Sequence, residues 1–288
     1  MKSEIVVYYD QTYPSSYIDA KMGYPTKIAT HLKSKGISNI NATSLRDFIE
    51  SSLNERNANN KIVVFSQDIV PDTICEEEHS NTLLREYLDA GGNIVWMGDI
   101  PLFNIGKKTE NDQISLIPAY TNGAPVYMLG IIPLYVSTLR SINFESLGRA
   151  LGLTHHWTST RPVLKDNTIK PLAVTENIGA DYYVNVPKKK TKCDKIIDWL
   201  KRTKSVKFTG FEFEREPTEE EKPKKDKVSR HTLYETHPSA WVKNFNEEFP
   251  NCGFYRIWDY CPRIMPYWMI DELFNFVQGI ARRIEREN

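Results

Sequence analysis

Four aspartates carry the first chemical signal in this sequence. Asp10, Asp68, Asp99 and Asp259 each follow a short strand-like run: Ile5 to Tyr9, Ile62 to Phe65, Ile94 to Met97, and the stretch carrying Phe254, Tyr255, Ile257 and Trp258. If those runs are parallel strands, all four carboxylates face one sheet edge, where neighbouring strands lie about 5 Å apart. Two carboxylates on adjacent strands could split into a general acid and a general base, because like charges push their proton affinities apart. They could also hold Mg²⁺ through oxygen ligands and water. The plainer role is turn chemistry, in which an Asp after a strand accepts backbone N–H bonds or caps the next helix. Asp99 is the expected mouth of the main pocket, with Asp10 or Asp68 beside it. Gly98 allows a tight exit from the strand and leaves little bulk over the sheet edge.

A second cluster is polar and aromatic. His155, His156 and Trp157 are followed by Arg161. Adjacent histidines point in different directions on a strand or helix, so this is no zinc motif, and a structural or ligand-stacking loop is expected. Arg256, Trp258 and Arg263 flank Asp259. One arginine can pair with that acid, and Arg is also the usual partner of a carboxylate or phosphate ligand. The expected ligand contacts are therefore His156, Trp157, Arg256, Trp258, Asp259 and Arg263, with Asp10, Asp68 and Asp99 as the candidate chemical groups. Cys75, Cys193, Cys252 and Cys261 form no CxxC pair and no zinc spacing, which reads as reduced thiols. Cys261 lies just after a strand, but Pro262 follows it and no His is evidently paired with it. The sequence has no GxGxxG, Walker or GxSxG motif.

The elements that must position these groups follow from periodicity. Leu83, Leu84, Tyr87 and Leu88 form a helical face stopped at Gly91 and Gly92, and an all-apolar strand follows directly. Such unbroken strands belong to sheets covered on both faces, and ligands of these sheets sit at the strands' carboxyl ends. Upstream, a strand from Ile5 leads to a helix with Thr26 as cap and Gly36 as stop, then a short edge strand at 37–40 beside the first. Leu45, Phe48, Ile49 and Leu53 make the next helical face, capped by Thr43 or Ser44. Right-handed crossovers then give a doubly wound half by residue 99.

Beyond Pro101 the pattern weakens. Residues 104–122 read as a long loop or insertion near the strand ends, of a kind that is often functional. One of the runs Val126 to Leu129 and Ile131 to Val136 reads as a strand, and Phe144, Leu147 and Leu151 as a helix. Strands are expected at 171–175, 182–186 and 206–213, a short helix at 193–200, and an exposed loop at 212–230. A helix is expected over 238–249 from Trp241, Val242, Phe245 and Phe249. The last helix carries Ile270, Leu273, Phe274, Val277, Ile280 and Ile284. The fold class expected is α/β: a flavodoxin-like, mainly parallel sheet with helices on both faces and inserted loops or strands. It forms a single domain over 1–288 with an elaboration at about 104–235.

Lys plus Arg equals Asp plus Glu at 37 each, so no general field attracts nucleic acid. No stretch approaches a membrane span and no secretory signal is evident, so a cytoplasmic protein is expected.

The segment Asn81 to Pro101, NTLLREYLDAGGNIVWMGDIP, resembles the helix–GG–strand unit of the class I glutamine amidotransferase-like superfamily, with ThuA-like members nearest in texture. The strand at 61–68, the strand at 5–10 and the first helix fit the same pattern, so the resemblance covers roughly the first hundred residues. It implies the fold type. In true amidotransferases a Cys nucleophile occupies the sharp turn after a central strand, served by a later His and Glu. Gly98 and Asp99 stand at that turn here, so glutamine hydrolysis by a Cys triad is not expected. The resemblance implies a noncatalytic or repurposed amidotransferase-like domain binding a small polar ligand or a protein partner, with an oligomer compatible with either. The alternative is a hydrolase of a sugar- or nucleotide-like substrate that uses the strand-end carboxylates, with Mg²⁺ as the one cofactor considered.

Overall fold

In a computed structural model, the described residues are 2–14, 23–76, 81–98, 100–119, 123–134, 140–175, 178–180, 233–259 and 267–287. In chain order, β1 (Glu4–Tyr8) leads to α1 (Tyr24–Ser34), β2 (Ser38–Ile40), α2 (Ala42–Asn54), β3 (Lys61–Phe65) and β4 (Ile69–Pro71). Next come α3 (Leu83–Asp89), β5 (Asn93–Met97), β6 (Asn104–Lys108), β7 (Ile114–Ile117), α4 (Ala124–Leu129), β8 (Arg140–Phe144) and α5 (Ser146–Leu151). The chain continues through β9 (Thr158–Ser159), β10 (Ile169–Thr175), β11 (Ile178–Ala180), β12 (Leu233–Glu235), β13 (Pro238–Lys243) and β14 (Phe254–Ile257) to a last helix, α6 (Tyr267–Glu287).

The architecture is α/β. A mixed, mostly parallel central sheet of nine strands runs β2-β1-β3-β5-β14-β13-β10-β8-β9. Strands β2 to β14 in that order are parallel, and the sheet turns antiparallel from β13 onward. Strands from both ends of the chain thus share one sheet, with β2 at the edge beside β1 as expected.

Both faces are covered, which is why the central strands are mostly apolar, with Arg256 in β14 a buried exception. Val7, Ile62, Val64, Val95, Met97, Tyr255 and Ile257 face α1, α5 and α6. Val6, Val63, Phe65, Ile94, Trp96 and Phe254 face α2, α3, α4 and a smaller sheet. In α6, Ile270, Leu273, Val277, Ile280 and Ile284 are all buried, the stripe that the sequence period predicts.

Several local expectations are corrected. The helix expected at 238–249 is strand β13, with Trp241 on one face of the sheet and Val242 on the other. Pairing with β10 and β14 overrides a chance helical spacing. Asn244 then closes the return, its Nδ2 donating to the carbonyls of Phe249 (2.7 Å) and Cys252 (2.9 Å). Gly253, at φ 143°, completes that turn, because a Cβ there would lie 2.1 Å from the Lys243 carbonyl oxygen.

Residues 104–117 are a hairpin, β6 and β7, that joins β4 in a three-stranded sheet. Of its apolar side chains only Ile105 is fully buried; Ile114 and Ile117 are half-buried against the core and Leu116 is exposed. Val126 to Leu129 belong to helix α4, set between Gly123 and Gly130. Phe144 ends strand β8 before α5 begins. Helix α1 begins at Tyr24, so Thr26 lies inside it, bonded to the Tyr9 hydroxyl at 2.6 Å. Asn41 caps α2 in place of Thr43 or Ser44, its side chain accepting from the Ser44 N–H at 2.9 Å. The elements expected at 182–186, 193–200, 206–213 and 212–230 lie outside the described residues. Among the described residues, no helix is long and apolar enough to cross a membrane.

Candidate functional site

Strands β1, β3, β5 and β14 are consecutive in the sheet and parallel, so the positions after them share one carboxyl edge. The chain leaves β1 for β2 on one side and returns through α2 to β3 on the other. The crevice of an open α/β sheet lies at this reversal.

Asp10 sits beside it. One carboxylate oxygen accepts from the Thr12 N–H (2.9 Å) and hydroxyl (2.7 Å), and the other accepts from the Ala42 N–H (3.0 Å) at the start of α2. Partial burial pushes this carboxyl up, but the Ala42 and Thr12 donors outweigh it and hold the group below the ordinary Asp range. Between β1 and β3 the gap is bridged by Gln67. Its Oε1 accepts from Asp10 N–H (2.7 Å), and its Nε2 donates to the carbonyls of Asp10 (3.0 Å) and Tyr13 (2.7 Å). Asp68 follows, buried beneath the surface. Asp99 lies outside the described residues, as do Arg263 and Cys261.

Asp259 is fully buried and engaged from several sides. One oxygen accepts from the Trp157 indole N–H (2.9 Å). The other accepts from the Ser159 hydroxyl and from the backbone N–H groups of Thr160 (3.0 Å) and Arg161 (2.8 Å). This carboxylate pins residues 157–161 across the end of β14. Arg256, also fully buried, donates to the carbonyls of Gly98 (3.2 Å) and Arg161 (2.6 Å), so its described bonds run to backbone oxygens of the same region. Trp258 is buried on the α6 side at φ 51°, a left-handed conformation that costs a bulky residue about 1–2 kcal/mol. Its carbonyl accepts the Gly98 N–H at 2.9 Å. Asp259, Trp157 and Trp258 are thus internal to the fold, where the sequence reading had them meeting a ligand. His156 donates through Nδ1 to the Ile142 carbonyl (2.9 Å) and packs on Phe144.

The neighbouring His155 is differently placed. Its Nδ1 lies 2.6 Å from Oε2 of Glu272, a side chain only 1% exposed, while the His155 side chain is 49% exposed. The same oxygen accepts from Thr154 N–H (3.0 Å), Thr154 Oγ1 (2.7 Å) and His155 N–H (2.8 Å). Glu272 Oε1 is buried with no hydrogen-bond partner. Trp268 stacks on the imidazole at 4.4 Å between ring centres.

The described cavity at the sheet edge lies on the other face, beyond Asp10. It measures about 630 Å³. The loop after β1 contributes Asp10, Thr12 and Tyr13, and α2 contributes Thr43 and Arg46. Asp72 and Thr73 follow β4, and the hairpin supplies Lys107, Lys108 and Asp112. Asp72 accepts from the Tyr13 hydroxyl (2.7 Å) and the Lys108 N–H (2.8 Å), which ties hairpin to loop. Burial first, and then the Asp72 carboxylate, push the Tyr13 hydroxyl well up, so it stays a neutral donor. Arg46 pairs with Glu50 and Lys108 with Asp112, each at 2.8 Å. Among the described residues, Lys107 forms no ion pair and no group of three His, Cys, Asp or Glu is placed to hold a metal ion. Of this lining, only Asp10 was singled out from sequence as a site residue, Thr43 having been considered only as a helix cap. The hairpin's position near the strand ends was the remaining signal.

Fold and site together define an α/β protein with a polar crevice at the carboxyl edge of its sheet. The MJECL34 family model matches residues 3–209, and the chain belongs to that family. It is similar to "Uncharacterized protein MJECL34" of Methanocaldococcus jannaschii, at 32% identity over 187 residues, covering 60% of this chain and 58% of that relative. The chain therefore spans a little over half the length of the curated relative it matches. No solved structure matches the chain.

Proposed function

We propose that this protein is a noncatalytic or repurposed domain on an amidotransferase-like scaffold, and that it binds a small polar molecule in the crevice beyond Asp10. The observation that carries this reading is the 630 Å³ cavity, lined by side chains of both charges and by hydroxyls. Asp10 and Asp72 spend acceptor capacity on the fold, and the Thr73 hydroxyl donates to the Ala42 carbonyl (2.9 Å), while Lys107, Arg46 and the Thr43 hydroxyl offer donors. Such a lining suits a neutral or zwitterionic ligand with several hydroxyl or amino groups, of sugar, nucleoside or amino-acid type. In sequence, Gly98 and Asp99 follow β5 where the resemblance would put an amidotransferase nucleophile, and the described thiols of Cys75 and Cys252 are buried. A cytoplasmic setting is part of the same proposal. Asp10, tied by its three donors, serves the helix start in preference to proton transfer, which weighs against the hydrolase alternative.

A thermal-shift panel of neutral sugars, nucleosides and amino acids tests the reading. A ligand at a hundred times its Kd stabilises by about 2.7 kcal/mol. The expected result is a hit whose stabilisation disappears in Arg46→Ala and Lys107→Ala. A panel without hits, or hits indifferent to both substitutions, would overturn it.

A further inference from the structure

We propose that His155 and Glu272 form a second site, on the α1–α5–α6 face of the sheet, where His155 acts as general base in the hydrolysis of neutral esters that carry a flat ring. Its two halves come from distant parts of the chain, 117 residues apart. The Asp259 carboxylate pins 157–161 over the end of β14, and so brings His155 to the carboxyl edge. Helix α6 starts shortly after Asp259 and presents Trp268 and Glu272 from its first turns.

The geometry dictates the tautomer. A carboxylate only accepts hydrogen bonds, so Nδ1 of His155, 2.6 Å from Oε2, carries a proton. In the neutral ring Nε2 is then the lone-pair nitrogen, on a side chain 49% open to solvent. Thr154 and the His155 backbone fix the carboxylate through the same oxygen, and Trp268, inclined 19° to the imidazole, fixes the ring plane. Oε1 of Glu272 is buried without a protein partner. A buried carboxylate, an oriented imidazole and an open nitrogen are the base and orienter of a hydrolytic site. Among the described residues no Lys or Arg pairs with either member of the dyad, so nothing here selects an anionic substrate. One face of the Trp268 indole is taken by the imidazole, and its half-buried remainder beside that stack gives a planar group apolar contact.

In the step, Nε2 takes a proton from water as the water oxygen bonds to the ester carbonyl carbon. Collapse of the adduct breaks the bond to the leaving oxygen, which receives the proton back from Nε2. The products are a carboxylic acid and an alcohol. His155 is the catalytic residue and Glu272 a positioning residue.

4-Nitrophenyl acetate, a neutral ester with a planar ring, is the probe. The whole protein should release 4-nitrophenol with saturation. His155→Ala should lower kcat/KM about 100-fold, and added imidazole should restore part of the loss. Glu272→Gln should lower kcat more than it raises KM, whereas Trp268→Ala should chiefly raise KM. Should Glu272→Gln fail to fold, nitrogen NMR of the unaltered protein reads the same geometry, with the His155 proton on Nδ1. Turnover no faster than an equal concentration of free imidazole would overturn the proposal. So would turnover unchanged in His155→Ala, or a neutral ring protonated on Nε2.

Discussion

Replacing Asp259 with Ala removes the acceptor for four donors at once: the Trp157 indole, the Ser159 hydroxyl and the backbone N–H groups of Thr160 and Arg161. Ser159 is fully buried and Trp157 nearly so, and neither can turn to bulk water without moving the segment. A hydrogen bond to a charged group contributes about 1.5–3 kcal/mol. The four share one carboxylate and are not additive, so the expected loss is about 3–5 kcal/mol, the range for breaking a buried charged network. At about 2–4 °C per kcal/mol for a chain of this order of size, the midpoint should fall by roughly 10 °C. Urea unfolding followed by tryptophan fluorescence gives the free energy directly. Asp259→Asn should recover only part of the loss, since its amide NH₂ meets donors. A cost below about 1 kcal/mol for Asp259→Ala would show that the carboxylate is not the anchor of residues 157–161.

Further outcomes follow from the same geometry. Asp10→Asn should cost about 1 kcal/mol as a helix-start bond weakens. Because the folded Asp10 carboxyl lies below its ordinary value, its contribution is present above that value, about pH 4, and is lost as pH falls through the folded one. Urea titrations between pH 2 and 7 should therefore show a smaller acid-side decline in Asp10→Asn than in the unaltered protein. An identical decline would contradict the assignment. Leu273, fully buried between α6 and the sheet, should cost about 2–5 kcal/mol on truncation to Ala, measured by chemical denaturation. An unchanged midpoint would argue against α6 as a core element.

The parallel half of the sheet was legible because β1, β3, β5 and β14 are covered on both faces and so are mostly apolar, Arg256 of β14 being the exception. Helix α6 was legible because a long period of buried positions has few other readings. Strand β13 was not, since Trp241, Val242, Phe245 and Phe249 happen to fit a helical spacing and only pairing with β10 and β14 decides between them. The hairpin β6–β7 was hidden because only Ile105 of its apolar residues is fully buried, while Ile114, Leu116 and Ile117 stay half-buried or exposed and give no clean alternation. At the site, the sequence put Asp10, Asp68 and Asp259 after strands that are parallel in the sheet but could not assign their partners. Asp259 is consumed by donors about a hundred residues earlier, and Asp10 by the start of α2. The His155–Glu272 pair lay hidden for the same reason: His155 stood in a noted cluster, while its carboxylate is on α6.

The central claim is that the crevice beyond Asp10 holds a small polar ligand. A crystal structure of the protein soaked with the strongest stabilising compound tests it most directly. The account predicts density for that compound between the β1 loop, α2 and the β6–β7 hairpin, within hydrogen-bond reach of Arg46 or Lys107. Density for the compound at any other place, with this crevice filled only by water, would contradict it.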